Sequence, residues 1–271
     1  MGTQKEMSFL DHLEELRWHI LRALGAVMIA ASAAFLAKGF IFETLIFGPT
    51  KADFFTYELL CNASKLLGFE SFCDTNFDFE VQSRTMAGQF SAHIWTSITF
   101  GLIVAFPYVL YEFWKFISPG LYSKEKNSSR GFIVISSILF FIGVLFGYYI
   151  VCPLSINFLG TYSVAEQVHN DFDLNSYIGL IRASTLASGF IFELPIIIYF
   201  LTKIGLVTPE FLRKNRKYAL VIVLIFAAII TPPDIASQVI VAIPVLILYQ
   251  ISILISKLVL RTQKRKENNG K

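Results

Sequence analysis

Apolar residues run through this chain in long blocks rather than in alternation. Six blocks stand out, at about 20–40, 90–113, 131–151, 178–204, 218–230 and 237–258, with charge clustered between them. Several approach or exceed the roughly 18 apolar residues needed to cross a hydrocarbon core of about 30 Å. The pattern predicts an all-α, polytopic membrane protein with six transmembrane helices. The fifth block, Tyr218 to Ile230, amounts to about 20 Å of helix. It ends in TPPD, residues 231–234, where Pro232 and Pro233 have no backbone N–H to donate and stop the helix early. The fifth and sixth helices are therefore expected to be short and to form a hairpin that turns within the depth of the membrane. Polar backbone there has to be covered by protein or face water. Pro107, Pro195 and Pro244 lie inside blocks and are expected to bend them, giving a curved, concave bundle. No internal repeat and no separate catalytic domain is visible.

Composition agrees. The 271 residues are 55% hydrophobic and 16% charged, with a mean hydropathy of +0.59, which excludes an ordinary soluble domain. The net charge of +3 says less than its placement. Of the 23 Lys and Arg, all but Lys38, Lys51, Lys65, Arg84 and Arg182 fall on one side of the predicted spans. The positive-inside rule then puts both termini in the cytoplasm, with residues 259–271 as a basic cytoplasmic tail. Acids and bases precede the first apolar block without a small-residue cleavage site, so no cleavable signal is expected. Residues 41–89 form a long extracytoplasmic loop carrying Cys61 and Cys73. That compartment permits a disulfide between them; two free thiols are the alternative, because spacing alone does not fix geometry. Cys152 is left over.

Four stretches carry polar residues where lipid disfavours them. In SFLDHLEELRWHILRAL, residues 8–24, Phe9, Leu13, Leu16, Ile20 and Leu24 recur at helical spacing and make one apolar face. Asp11, Glu14 and Glu15 stand away from that face where the helix enters the membrane, and such a cluster attracts a basic ligand. The plain alternative is a solvated turn with Glu14 paired to Arg17. PYVLYEFWKFISPGLYSKEKNSSR, residues 107–130, is an aromatic-rich span end, suited to the membrane interface, that leads into a loop with Glu125. GFIFELPIIIYF, residues 189–200, sets Glu193 deep in an apolar block two residues before Pro195. An acid at the centre of a span costs roughly 2.5–3.5 kcal/mol on insertion scales, so Glu193 is expected to line an interior or hydrated face. A hydrogen bond that only fixes helix packing is the alternative. TPPDIASQVIVAIP, residues 231–244, adds Asp234 and Gln238.

Together, in this order along nearly the whole chain, HLEELR, YEFWKFISPGLY, FELP and TPPDIASQ resemble the TatC family, the polytopic receptor subunit of the twin-arginine protein translocase. The resemblance implies six helices, both termini cytoplasmic, residence in the cell inner membrane, and recognition of folded precursors whose signal peptides carry paired arginines. It implies that Glu15 and Glu125 form the site for the arginine pair, with Phe116 and Pro119 on the loop's aromatic and proline positions and with Glu14 and Arg17 beside them. Pro49, Pro107, Glu193, Asp234 and Gln238 also fall on family motif positions. Small single-span TatA/TatB-type subunits are the implied partners, docking at the hairpin, and the receptor is expected to associate with itself and with lipid. The proton-motive force is the implied energy source. Guanidinium suits the task, because it binds carboxylate through forked hydrogen bonds that lysine cannot match.

Other classes fit less well. A proton-coupled secondary transporter using Glu193 is the main rival, yet the two halves show no repeat and no second broken span. There is no HExxH, no G-x-S-x-G elbow and no phosphate loop, so neither an intramembrane hydrolase nor an ATP-driven pump is indicated. No enzyme activity, metal, cofactor or nucleic acid is expected.

Overall fold

The structure is a computed structural model, and it describes residues 9–51, 53–66, 79–117, 129–165, 167, 170–230 and 235–269. Ten α-helices account for most of them: α1 (Phe9–Leu36), α2 (Phe55–Leu66), α3 (Gly88–Ile117), α4 (Ser129–Phe146), α5 (Cys152–Thr161), α6 (Leu174–Phe192), α7 (Leu194–Lys203), α8 (Pro209–Lys214), α9 (Arg216–Ile230) and α10 (Ile235–Asn269). Among the described residues, five segments are long and apolar enough to cross a membrane: Leu13–Leu36, Gly88–Phe116, Gly131–Thr161, Leu174–Lys203 and Ser237–Gln263. The sixth predicted span is α9, whose 15 residues reach about 22 Å.

Two boundaries differ from expectation. In α1 the amphipathic HLEELR stretch and the apolar block form one continuous helix. The third span does not end at residue 151. A π-helical turn over Gly147–Val151 carries it into α5, and Pro153 sits in the first turn of that helix, where a missing N–H is tolerated. The last helix is not short: α10 runs for 35 residues and takes in most of the basic tail. Lys, Arg and Gln are good helix formers, and cations at a helix C-terminus complement its dipole.

α1 lies along α3, α4 along α6, and α10 along α7 and α9. Interiors between these pairs are built from small or flat groups. Where α3 meets α4, Phe106 stacks on Phe140 with centroids 3.6 Å apart. At Gly143 of α4 an added Cβ would lie 2.6 Å from the Ser188 carbonyl oxygen of α6, and at Gly101 of α3 it would lie 2.6 Å from the Ala31 nitrogen of α1. Small residues at such contacts let backbones approach where lipid supplies no hydrophobic drive.

At the end opposite the chain's start, the segments before α3 and α6 are tied together. Val81–Gln82 (β1) pairs in parallel with Phe172–Asp173 (β2). The Tyr177 hydroxyl donates to the Ile46 carbonyl at 2.7 Å, and the Tyr148 hydroxyl to the Leu45 carbonyl at 2.8 Å. Buried Pro49 presents its carbonyl to the Tyr57 hydroxyl at 2.7 Å. Burial pushes the Tyr57 phenol well above its usual range, so it stays a donor.

One bond here repairs a defect that the sequence itself creates. Pro153 cannot donate to the carbonyl four residues back, which belongs to Tyr149. The hydroxyl of buried Thr56, in α2, donates to that carbonyl instead. Thr56→Val keeps the shape and orphans the carbonyl. It is expected to lower stability by about 1–3 kcal/mol, with Thr56→Ser near wild type, read from thermal unfolding in detergent. Equal melting of the valine and serine variants would show that the bond contributes nothing.

Candidate functional site

The first turns of α1 place Glu15, Trp18, His19 and Arg22 at i, i+3, i+4 and i+7, hence on one face. With Glu14, and with Lys115 from the last turn of α3, they line an open cleft of about 390 Å³. The orientation of α1 is the reverse of a soluble amphipathic helix. Its apolar positions Leu13, Ile20 and Leu24 are 45–55% exposed, as lipid-facing side chains should be, and the polar face turns toward α3. Glu14, Glu15 and Arg17 are exposed. Phe116 stands at the cleft's edge, its ring edge-on to His19 at 6.2 Å. Pro119 and Glu125 lie outside the described residues, so the cleft is described on its α1 and α3 sides only.

Beneath the cleft sits an acid that the sequence motifs did not single out. Glu112 of α3 is 3% exposed. His19 Nδ1 donates to its Oε2 at 2.5 Å, and Arg22 Nη1 is 3.9 Å from the same oxygen. The Tyr108 hydroxyl, one turn earlier on α3, lies beside this carboxylate. An acid buried at the polar end of a span is sustained by such partners, which supply the hydrogen bonds and positive charge that water would otherwise provide. The signal was present in PYVLYEFW: a carboxylate inside an aromatic, apolar run, the same anomaly that draws attention to Glu193.

Glu193 occupies the break between α6 and α7, with Pro195 in the first turn of α7. Pro195 cannot donate to the Ile191 carbonyl, and the Glu193 N–H closes the end of α6 with a bond to the Phe190 carbonyl at 3.1 Å. The side chain is 8% exposed. Its Oε2 accepts from the Ser136 hydroxyl of α4, and its Oε1 has no partner among the described residues. On α10, Gln238 Nε2 donates to the Leu224 carbonyl of α9 at 3.1 Å and so braces the hairpin. Pro232, Pro233 and Asp234 lie outside the described residues. Pro107 is inside an unbroken α3.

Cys61, in α2, is disulfide-bonded, and Cys152 is a buried free thiol; Cys73 lies outside the described residues. A pairing of Cys61 with Cys73 is expected to leave neither open to a maleimide in unreduced, unfolded protein, whereas Cys152 labels. Labelling of all three would dismiss it.

Comparison with known proteins places this geometry. The family model described as "Sec-independent protein translocase protein (TatC)" matches residues 11–244. The protein of that name from Blattabacterium sp. subsp. Periplaneta americana (strain BPLAN) is 46% identical over 257 residues, covering 94% of this chain and 97% of the relative. TatCy of Bacillus subtilis (strain 168) is 36% identical over 261 residues, covering 96% and 92%. Among solved structures, the crystal structure of the twin-arginine translocase receptor TatC in DDM superposes with a TM-score of 0.69 at 34% identity, over 90% of this chain and 99% of that one. A second crystal structure of that receptor gives 0.66 over 92% and 99%. With HLEELR opening the polar face of α1 and FELP breaking the fourth span between α6 and α7, the chain belongs to the TatC family of Sec-independent protein translocase proteins.

Proposed function

We propose that this chain is the signal-reading subunit of a twin-arginine translocase in the cell inner membrane, with both termini cytoplasmic. The observation that carries the reading is the cleft at the start of α1, where Glu14 and Glu15 stand exposed over a buried third acid. A pair of arginines repels itself and needs carboxylates at close range, and guanidinium forks meet them with charge-assisted hydrogen bonds. Glu15 and, from the loop after α3, Glu125 are the two acceptors for that pair. Phe116 and Pro119 shape the loop's approach, and Glu14 and Arg17 set the surrounding field. The apolar part of the signal then lies along the exposed apolar surface of the helices.

The α9–α10 hairpin is the docking place for small single-span TatA/TatB-type subunits, through Gln238 of α10 and through Pro232, Pro233 and Asp234 of the TPPD stretch that joins the two helices in sequence. The receptor also associates with copies of itself, and the proton-motive force drives transport. Glu193 supplies an intramembrane polar group near the broken fourth span. Purification of the tagged full chain from native membranes tests the reading: a twin-arginine precursor and single-span subunits are expected to come down with it. Recovery of the chain alone, together with solute uptake by the reconstituted protein unaided, would replace it with a proton-coupled transporter using Glu193.

A further inference from the structure

Discrimination between arginine and lysine is a demanding task for exposed carboxylates. Glu14 and Glu15 are solvated, and exposed ion pairs are worth only about 0–1 kcal/mol whichever cation takes part. A buried acceptor discriminates better, because the incoming cation has to shed water there. Ammonium is the more strongly hydrated ion and presents no planar fork, whereas guanidinium is weakly hydrated and matches both carboxylate oxygens. Among the described residues the buried acids are Glu112 and Glu193. Only Glu112 adjoins the cleft; Glu193 is held by Ser136 at the break of the fourth span.

Glu112 already has a guanidinium at its edge. Arg22 lines the cleft, its side chain is 49% exposed, and its Nη1 stands 3.9 Å from Glu112 Oε2, the outer limit of an ion pair. His19 holds the same oxygen much more closely, at 2.5 Å. Besides the Tyr108 hydroxyl beside it, the carboxylate therefore has a firm partner that orients it and a loose one that covers it.

We propose that Glu112 is the specificity-determining acceptor of the cleft, and that an arginine of the signal takes it by displacing Arg22. This rests on the receptor reading above. The exchange replaces one guanidinium by another, so the charge around Glu112 is unchanged. Arg22, half in water already, swings out with little loss. His19 stays in place and keeps the carboxylate aimed. Lysine gains less from the same exchange, since its ammonium loses hydration without gaining the fork. Glu15 and Glu125 engage the pair with little discrimination between cations, and one of its guanidiniums reaches on to Glu112, which selects.

The test uses the full chain in phospholipid nanodiscs and two fluorescent signal peptides, one with paired arginines and one with paired lysines, followed by anisotropy. Wild type is expected to prefer arginine. Glu112→Gln is expected to cut that preference about tenfold, mainly by weakening the arginine peptide. Glu15→Gln should weaken both peptides alike and keep the ratio. Arg22→Ala should bind the arginine peptide as tightly as wild type or more so, since the internal competitor is gone. A role confined to clamping α1 on α3 predicts the opposite for Arg22→Ala, so weakened binding there overturns the proposal. So does an unchanged preference in Glu112→Gln while wild type discriminates, an outcome that leaves the receptor reading standing. Wild type without any preference overturns both. If Glu112→Gln does not give monodisperse protein, the Arg22→Ala arm decides.

Discussion

Glu15→Lys and Glu125→Lys are each expected to reduce crosslinking of a twin-arginine precursor to membranes by about a hundredfold or more. Removing one charge-assisted contact costs roughly 1.5–3 kcal/mol at most, and less where water screens it. Reversal adds repulsion against two guanidiniums, about 1 kcal/mol each at 4 Å in water and about 4 kcal/mol at an effective dielectric of 20. Glu15→Gln keeps the shape and an acceptor and should lose about tenfold or less. Glu14 lines the same cleft, so Glu14→Lys should show an intermediate loss. Glu210, an exposed acid in the first turn of α8, provides the neutral comparison: its reversal should change nothing. Raising salt to about 1 M should weaken wild-type capture, because exposed charges are screened within about 3 Å there. Wild-type capture by both reversed proteins would make Glu15 and Glu125 ordinary surface charges.

Gly143→Val is expected to be the most damaging single change to the fold among those described. Its Cβ would meet the Ser188 carbonyl oxygen at 2.6 Å, the Gly189 Cα at 2.8 Å and the Phe192 Cβ at 2.8 Å. None of these is the free end of a side chain, so α4 and α6 have to separate. Gly147 repeats the contact one turn on, 2.6 Å from the Ser184 carbonyl oxygen, and a shift at one position loosens the other. Overpacking of this kind typically costs about 1–3 kcal/mol, and backbone contacts place it at the upper end or beyond. Gly131, also in α4, has open space where its Cβ would be, so Gly131→Val should melt at or slightly above wild type. Equal melting temperatures for the two valine variants in detergent would refute the close approach of α4 and α6.

The membrane makes some of this legible in sequence and hides the rest. Long apolar blocks declare their helices because lipid leaves little other choice, and Pro195 beside Glu193 announces the break that separates α6 from α7. Helix ends were harder. Nothing in apolar periodicity says that α10 continues through its basic residues, or that Pro153 falls in a first turn and lets the third span run on. The site was half visible: the acids of α1 were conspicuous, but Glu112 and His19 are 93 residues apart and their pairing exists only once α1 lies along α3. The direction in which α1 faces was also hidden, since an amphipathic pattern reads the same whether its apolar side meets a core or lipid.

The ties at the far end also govern where this molecule can open. There the strand pair joins the segments before α3 and α6, the tyrosine hydroxyls tie the segment after α1 to the π-helical turn, to α2 and to α6, and Thr56 adds a bond that no helix can replace. Parting α1, α3, α4 and α6 at that rim means orphaning backbone carbonyls in sequence, each at about 1–3 kcal/mol. Between α6 on one side and α9 and α10 on the other lies an apolar recess bounded by Phe190, Ile222, Phe226 and Val241, and the contacts there are mainly apolar, with Ile191 packed near Val223, Ala242 and Val245. In the translocase proposed above, movement on that flank would therefore leave fewer backbone carbonyls without a donor than movement at the tied rim.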